Sequence, residues 1–167
     1  MIAKNNVILN SKQIEQKLKR IAYQIYEMNN DENEIVIAGI SKNGFTLAKK
    51  LKEIIGEISS IKVVLCEVFM NKKHPINSVN TSIGKEKYEN KSVVLVDDVL
   101  NSGTTLIYAV NHFLEVPLKN FKTAVLVDQN HKKYPVKADF KGISLSTSIK
   151  EHVNVEFKEE NTTAYLI

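Results

Sequence analysis

VVLVDDVLNSGTT, Val93 to Thr105, is the stretch whose reading decides the fold. Four aliphatic residues run into two adjacent carboxylates, Asp97 and Asp98. Two more apolar residues follow, and then Asn101-Ser102-Gly103-Thr104-Thr105. A short, unbroken apolar run is what a strand buried on both faces of a parallel sheet requires. In open parallel sheets, ligands bind beyond the carboxyl ends of the strands, which is where the two acids fall. The residues after them suit a helix start that holds phosphate. Ser102, Thr104 and Thr105 offer hydroxyls, Gly103 lets the backbone come close, and a helix N-terminus adds free N–H groups with partial positive charge. One loop thus joins a monophosphate cradle to two carboxylates that suit sugar hydroxyls or a Mg²⁺ ion. A phosphorylated ribose carries both complements.

Outward from this stretch, strands and helices alternate. NSKQIEQKLKRIAYQIYEMNN reads as a helix, with Ile14, Leu18, Ile21, Ile25 and Met28 at helical spacing and Asn10 or Ser11 as cap. EIVIAGI (Glu34 to Ile40) is a strand, broken by Ser41-Lys42-Asn43-Gly44. A second helix carries Leu47, Leu51, Ile54, Ile55 and Ile58 on one face, and IKVVLCEVF (Ile61 to Phe69) is the next strand. After the Val93–Val96 strand, a third helix presents Leu106, Val110, Phe113 and Leu114, and FKTAVLVD (Phe121 to Asp128) is a further strand. VNVEF and TAYLI read as short strands near the end of the chain. The expected fold is α/β: a central, mainly parallel sheet flanked by helices, with a small cap. The segment from about 70 to 91 is polar and lysine-containing, with Pro75 and Gly84. So long a segment without strong periodicity inside a domain reads as a flexible lid. The whole chain, 1–167, is expected to form a single domain.

Bulk properties narrow the class. Hydrophobic residues make up 43% and charged residues 25%, as in an ordinary globular protein. No apolar run approaches a membrane span, and MIAKNNVILNSKQ has no secretory h-region, so a cytoplasmic protein without membrane partners is expected. The lone cysteine, Cys66, excludes an internal disulfide and sits in an apolar strand run. The net charge is +4, and Arg20 is the only arginine among 23 basic residues. Binding of phosphates or nucleic acid is compatible with that balance but not specified by it.

Three other patterns share parts of the central stretch. A receiver domain places its acidic pair after the first strand, whereas two strong strands precede this one. A P-loop NTPase needs G-x-x-x-x-G-K-[ST], which the chain lacks. A plain helix start accounts for Ser102-Gly103-Thr104 but not for the thirteen-residue string. His74, His112 and His152 have no obvious partners, and no His/Cys cluster has metal-ligand spacing.

The string resembles the phosphoribosyl diphosphate (PRPP) motif of the type I phosphoribosyltransferases. GISKNGFTLAKKL is similar to their pyrophosphate loop and following helix. AVLVDQNHKKYPVKADFKG and the first helix resemble one branch, the bifunctional pyrimidine-operon attenuator / uracil phosphoribosyltransferases. The resemblance spans roughly Ile8 to Phe157. It implies the type I phosphoribosyltransferase fold, with its small cap built from the chain ends. It also implies a transferase that moves phosphoribosyl from PRPP to a nucleobase, uracil first, giving UMP and pyrophosphate, with Mg²⁺ as cofactor and a homodimer as the assembly. The alternative it implies is a nucleotide- or PRPP-sensing RNA-binding regulator of pyrimidine genes. By the same resemblance Asp97 and Asp98 are the catalytic acids at the ribose hydroxyls, directly or through Mg²⁺. Asn101, Ser102, Gly103, Thr104 and Thr105 bind the 5′-phosphate, and Ser41, Lys42, Asn43 and Gly44 bind pyrophosphate. Asp128 and His131 flank the base pocket. The chain departs from the branch where Asn43 and Thr104 stand in places that usually hold arginine, and where Ile143 replaces a basic residue. Its lid has lysines only; Lys72, Lys73, Lys85 and Lys87 are the candidates to replace a lid arginine.

Overall fold

A computed structural model of the protein describes residues 6–167. The first five residues, part of the expected 1–167 unit and of the segment read for a secretory signal, lie outside the described residues. The chain runs β1 (Val7–Leu9), α1 (Ser11–Met28), β2 (Glu34–Ile40), α2 (Asn43–Ile58), β3 (Lys62–Phe69), β4 (Asn80–Thr81), β5 (Ser92–Leu100), α3 (Thr104–Phe113), β6 (Asn120–Gln129), β7 (Phe140–Leu145), β8 (Val153–Lys158) and β9 (Asn161–Leu166). The main sheet has the order β4-β3-β2-β5-β6-β7. β3, β2, β5, β6 and β7 are mutually parallel, and only β4 is antiparallel. The fold is the expected α/β arrangement.

Alternation along the strands feeds two cores. Ile35 and Ile37 of β2, Val94 and Val96 of β5, and Ala124 and Leu126 of β6 pack with α1 and α2. Val36, Ala38, Ile40, Val93, Leu95 and Val125 pack on the opposite face, with Leu106, Ala109 and Phe113 of α3. This two-sided burial is why the strands read as continuous apolar runs. Asn10 closes a capping box on α1: its side chain accepts from the Gln13 N–H at 2.9 Å, and Gln13 accepts from the Asn10 N–H at 3.0 Å.

The chain ends supply the expected cap, an antiparallel sheet of order β1-β9-β8. Ser11 clasps it to α1, accepting from the Thr162 N–H at 2.8 Å and donating to the Thr162 carbonyl at 2.9 Å. Several details differ from the sequence reading. β5 does not stop at the acids but pairs with β6 as far as Leu100. Met28 is 43% exposed and Leu114 60% exposed, because the buried stripes of α1 and α3 end at Ile25 and Phe113. β7 follows β6 without an intervening helix. The 70–91 segment contains β4 and a short 3-10 helix, Lys85–Lys87. Its end is anchored by the fully buried Tyr88, whose ring lies 4.8 Å from Phe113. Phe113 in turn lies 5.7 Å from Phe121.

Phe113 therefore ties α3, the sheet and the end of the 70–91 segment together. Phe113→Ala is expected to lower unfolding free energy by about 3–5 kcal/mol. Leu114→Ala, at the neighbouring exposed position, is expected to change it by less than about 0.5 kcal/mol. Urea unfolding of the two variants side by side checks both.

Candidate active site

The parallel strands are ordered second-first-third-fourth-fifth along the sheet. The direction in which strands are added to the sheet therefore reverses between the parallel β2 and β5, and a crevice opens at their carboxyl ends. The register sets Gly39 opposite Val96. Ser41–Gly44 leaves β2 on one side of the crevice, and Asp97–Thr105, the end of β5 and the turn into α3, forms the other.

The β2 side is built tightly against β5. The Ser41 N–H donates to the Val68 carbonyl at 2.9 Å, and the Ser41–Lys42 peptide is cis. α2 opens at Asn43. A side chain at Gly44 would put its Cβ 2.6 Å from the Val96 carbonyl oxygen, so only glycine lets the helix sit this close. The Asn43 amide donates to Asp98 Oδ2 at 2.8 Å and to the Val155 carbonyl at 3.0 Å. One side chain thus joins the first loop, the acid pair and the cap.

Asp97 and Asp98 are only 3% and 9% exposed. Asp97 Oδ1 accepts the Asp98 N–H at 2.9 Å, and Asp98 Oδ1 accepts the Val99 N–H at 2.9 Å. Burial, reinforced by the charge of Asp98, pushes the Asp97 carboxyl up to about 7. The Lys72 ammonium, 3.3 Å from Oδ1, opposes that rise. Among the described residues no group of three or more His, Cys, Asp or Glu closes around a cation. The donor set is two carboxylates, which fits Mg²⁺ held mainly by waters and substrate phosphates.

On the β5 side, Asn101, Ser102, Gly103, Thr104 and Thr105 line an open pocket together with Asp97. Gly103 has φ +85°, and a Cβ there would meet Val136 Cγ1 at 2.5 Å. α3 begins at the next residue; its first N–H, that of Thr104, donates to the Ser102 hydroxyl at 3.3 Å, and Gly103 as N-cap supplies no side chain to cap the N–H groups that follow, which suits an anion. The Ser102 and Thr104 hydroxyls are 2.9 Å apart. Behind the loop, the Ser102 carbonyl accepts the N–H groups of Lys133 at 2.8 Å and Tyr134 at 3.1 Å.

The pocket brings Asp97 together with Asn101–Thr105, and the Asn43–Asp98 hydrogen bond ties the Ser41–Gly44 loop to the acid pair beside it. Asp98, Ser41–Gly44, Asp128 and His131 do not line the pocket. Lys132, at 2.6 Å, and Lys141, at 3.5 Å, hold the Asp128 carboxylate, and the His131 ring meets the Thr147 carbonyl. Buried Gln129 adds a hydrogen bond to the Thr147 hydroxyl at 2.9 Å. These side chains fasten the loop after β7. The Val136–Tyr134 brace had no sequence signal, because it depends on where the coil between β6 and β7 folds back. Of the four candidate lysines in the 70–91 segment, Lys72 is placed at the acids and Lys85 pairs with Glu115.

This fold and crevice define a class. A family model described as phosphoribosyl transferase domain matches residues 5–160. The chain belongs to the phosphoribosyl transferase family. It is 33% identical to the bifunctional protein PyrR of Geobacter sp. (strain M21), over 99% of this chain and 98% of that one. It is 34% identical to the protein of the same name from Clostridium acetobutylicum, over 90% and 89%. Among solved structures, a hypoxanthine-guanine phosphoribosyltransferase of Bacillus anthracis superposes with TM-score 0.74 at 19% identity, covering 96% of this chain and 98% of that one. The hypoxanthine phosphoribosyltransferase of Trypanosoma cruzi superposes with TM-score 0.77 at 15% identity, covering 96% of both. At these identities the likeness to solved structures is one of fold.

The raised Asp97 has a stability signature. Its folded value lies above its unfolded one, so stability is lost as pH rises from about 4 to 7 and stays level above. Asp97→Asn is expected to remove that loss. The variant should be more stable than the parent by roughly 2–4 kcal/mol at pH 8, with the gap closing toward pH 4. Thermal unfolding of ligand-free protein across that range measures it.

Proposed function

We propose that this chain is a Mg²⁺-dependent phosphoribosyltransferase that transfers the phosphoribosyl group of PRPP to uracil, giving UMP and pyrophosphate. The observation that carries the reading is the Asn43–Asp98 hydrogen bond, which ties the Ser41–Gly44 loop to the acid pair that precedes the Asn101–Thr105 loop. PRPP has that layout: a 5′-phosphate at one end, a diphosphate at the other, and a diol in the middle. Asn101–Thr105 bind the 5′-phosphate through hydroxyls and helix amides. Asp97 and Asp98 accept the ribose hydroxyls. Ser41–Gly44 receive the diphosphate at the start of α2. Asp97 and Asp98 would hold Mg²⁺, which would supply neutralising charge for the leaving group.

The base nitrogen displaces pyrophosphate at C1 of the ribose, through an oxocarbenium-like transition state. No protein nucleophile is needed. The chain contributes position, hydrogen bonds fixed before reaction, and exclusion of water by the 70–91 lid. Uracil is supported by the AVLVDQNHKKYPVKADFKG resemblance and by the PyrR relatives. A cytoplasmic homodimer follows from the same resemblance.

One observation favours the second reading, a nucleotide-sensing RNA-binding regulator. The lysine-bearing HKKYPVK segment is bonded directly to the phosphate loop through Ser102, so nucleotide at the loop is felt by Lys132, Lys133 and Lys137. Its RNA affinity would fall steeply with salt.

Pyrophosphate release from Mg-PRPP, with uracil, cytosine, orotate and the purine bases supplied one at a time, tests the proposal. Release with uracil alone is expected, as is a loss of at least about 100-fold in Asp98→Asn protein that remains folded. Release with another base replaces uracil as substrate. No release from protein that binds PRPP favours the regulator.

A further inference from the structure

Asp97 is a buried carboxylate beside a second carboxylate, a placement that disfavours its charge unless a cation compensates it. Asp98 gives Asp97 Oδ1 one backbone N–H at 2.9 Å but adds a like charge, so it supplies no compensating cation. The compensating cation comes from the lid. Lys72 Nζ lies 3.3 Å from Asp97 Oδ1, with 41% of the lysine side chain exposed against 5% of the Asp97 side chain. Its backbone turn is closed locally: Asn71 Oδ1 accepts the N–H groups of Lys73 at 3.0 Å and His74 at 3.3 Å, which leaves Lys72 in the turn that faces the acids. Other lid lysines have partners elsewhere, Lys85 at Glu115 and Lys91 at Glu34.

We propose that Lys72 is the resident cation of Asp97 in the ligand-free protein, latching the first turn of the lid to the acid pair until substrate displaces it. Its displacement by PRPP rests on the function proposed above; the latch itself does not. An ammonium at Asp97 and a divalent cation with its ribose diol compete for the same carboxylate and repel each other. Lys72 therefore lowers affinity for Mg-PRPP and couples lid opening to substrate entry. The lysine side of the ion pair is exposed to solvent and holds Asp97 by one contact, so it can exchange. This assigns the lysine a role opposite to that of a pyrophosphate-binding lid arginine.

The test uses Lys72→Met, which keeps the apolar stem, and Lys72→Arg, which keeps the cation. In ligand-free protein, amide hydrogen exchange over residues 71–79 is expected to be several-fold faster in Lys72→Met and near the parent rate in Lys72→Arg. By calorimetry, Mg-PRPP is expected to bind Lys72→Met about two- to fivefold tighter than the parent, the range an ion pair with one solvent-exposed partner supplies. Unchanged exchange in Lys72→Met overturns the latch. Weaker PRPP binding overturns the competition and makes Lys72 a substrate ligand. If the parent binds no PRPP, the fault lies with the proposed substrate, and the exchange result still decides the latch.

Discussion

The parallel pairing of β2 with β5 is the constraint on which the rest of the site depends. Strands adjacent in the sheet but separated in sequence send their following loops in opposite directions, and a crevice is left between them. Register then decides what faces what. With Gly39 opposite Val96, the start of α2 comes down on the end of β5, close enough that Gly44 tolerates no side chain. That approach brings Asn43 within hydrogen-bonding distance of Asp98. The cap joins the same point through the Val155 carbonyl. Sheet, helix and cap are thus fixed to one another at the place where chemistry is expected.

The acid pair shows the tension between stability and function. Two adjacent carboxylates at the end of a central strand destabilise the empty protein, as the upward push on Asp97 records. A hydrophobic pair there would fold better and bind nothing. The surroundings limit the cost with backbone N–H donors, the Asn43 amide and the Lys72 ammonium. Each of these is a weak or exchangeable partner, so a stronger one can enter.

Much of this was legible in the residues. Unbroken apolar runs located β2 to the residue, β6 to within one residue at each end, and β5 only as far as the acids, because burial on both faces removes polar interruptions there. The acid pair and the Asn101–Thr105 loop were legible because their chemistry is concentrated in nine consecutive positions. Less was visible where structure depends on distant neighbours. β7 has a mixed pattern, since Lys141 and Ser144 face outward on an edge strand. β1 and β4 are too short to carry a period. The choice among the lid lysines, the Val136 brace behind Gly103 and the pairing of Asp128 with Lys132 and Lys141 all arise from chain segments meeting in space. No local spacing encodes them.

The central claim is that the two loops and the acid pair form one site shaped for a ribose bearing phosphate at one end and diphosphate at the other. Backbone amide NMR during titration with Mg-PRPP, and separately with ribose 5-phosphate, tests it most directly. With Mg-PRPP, the resonances of Lys42–Gly44, Asp97–Asp98 and Asn101–Thr105 should move together and saturate at one concentration. With ribose 5-phosphate, the Asn101–Thr105 resonances should move and those of Lys42–Gly44 should stay nearly still. Silent loops, or movement confined to the groove between α1 and α2 near Ser11 and Lys50, would contradict the assignment of the site.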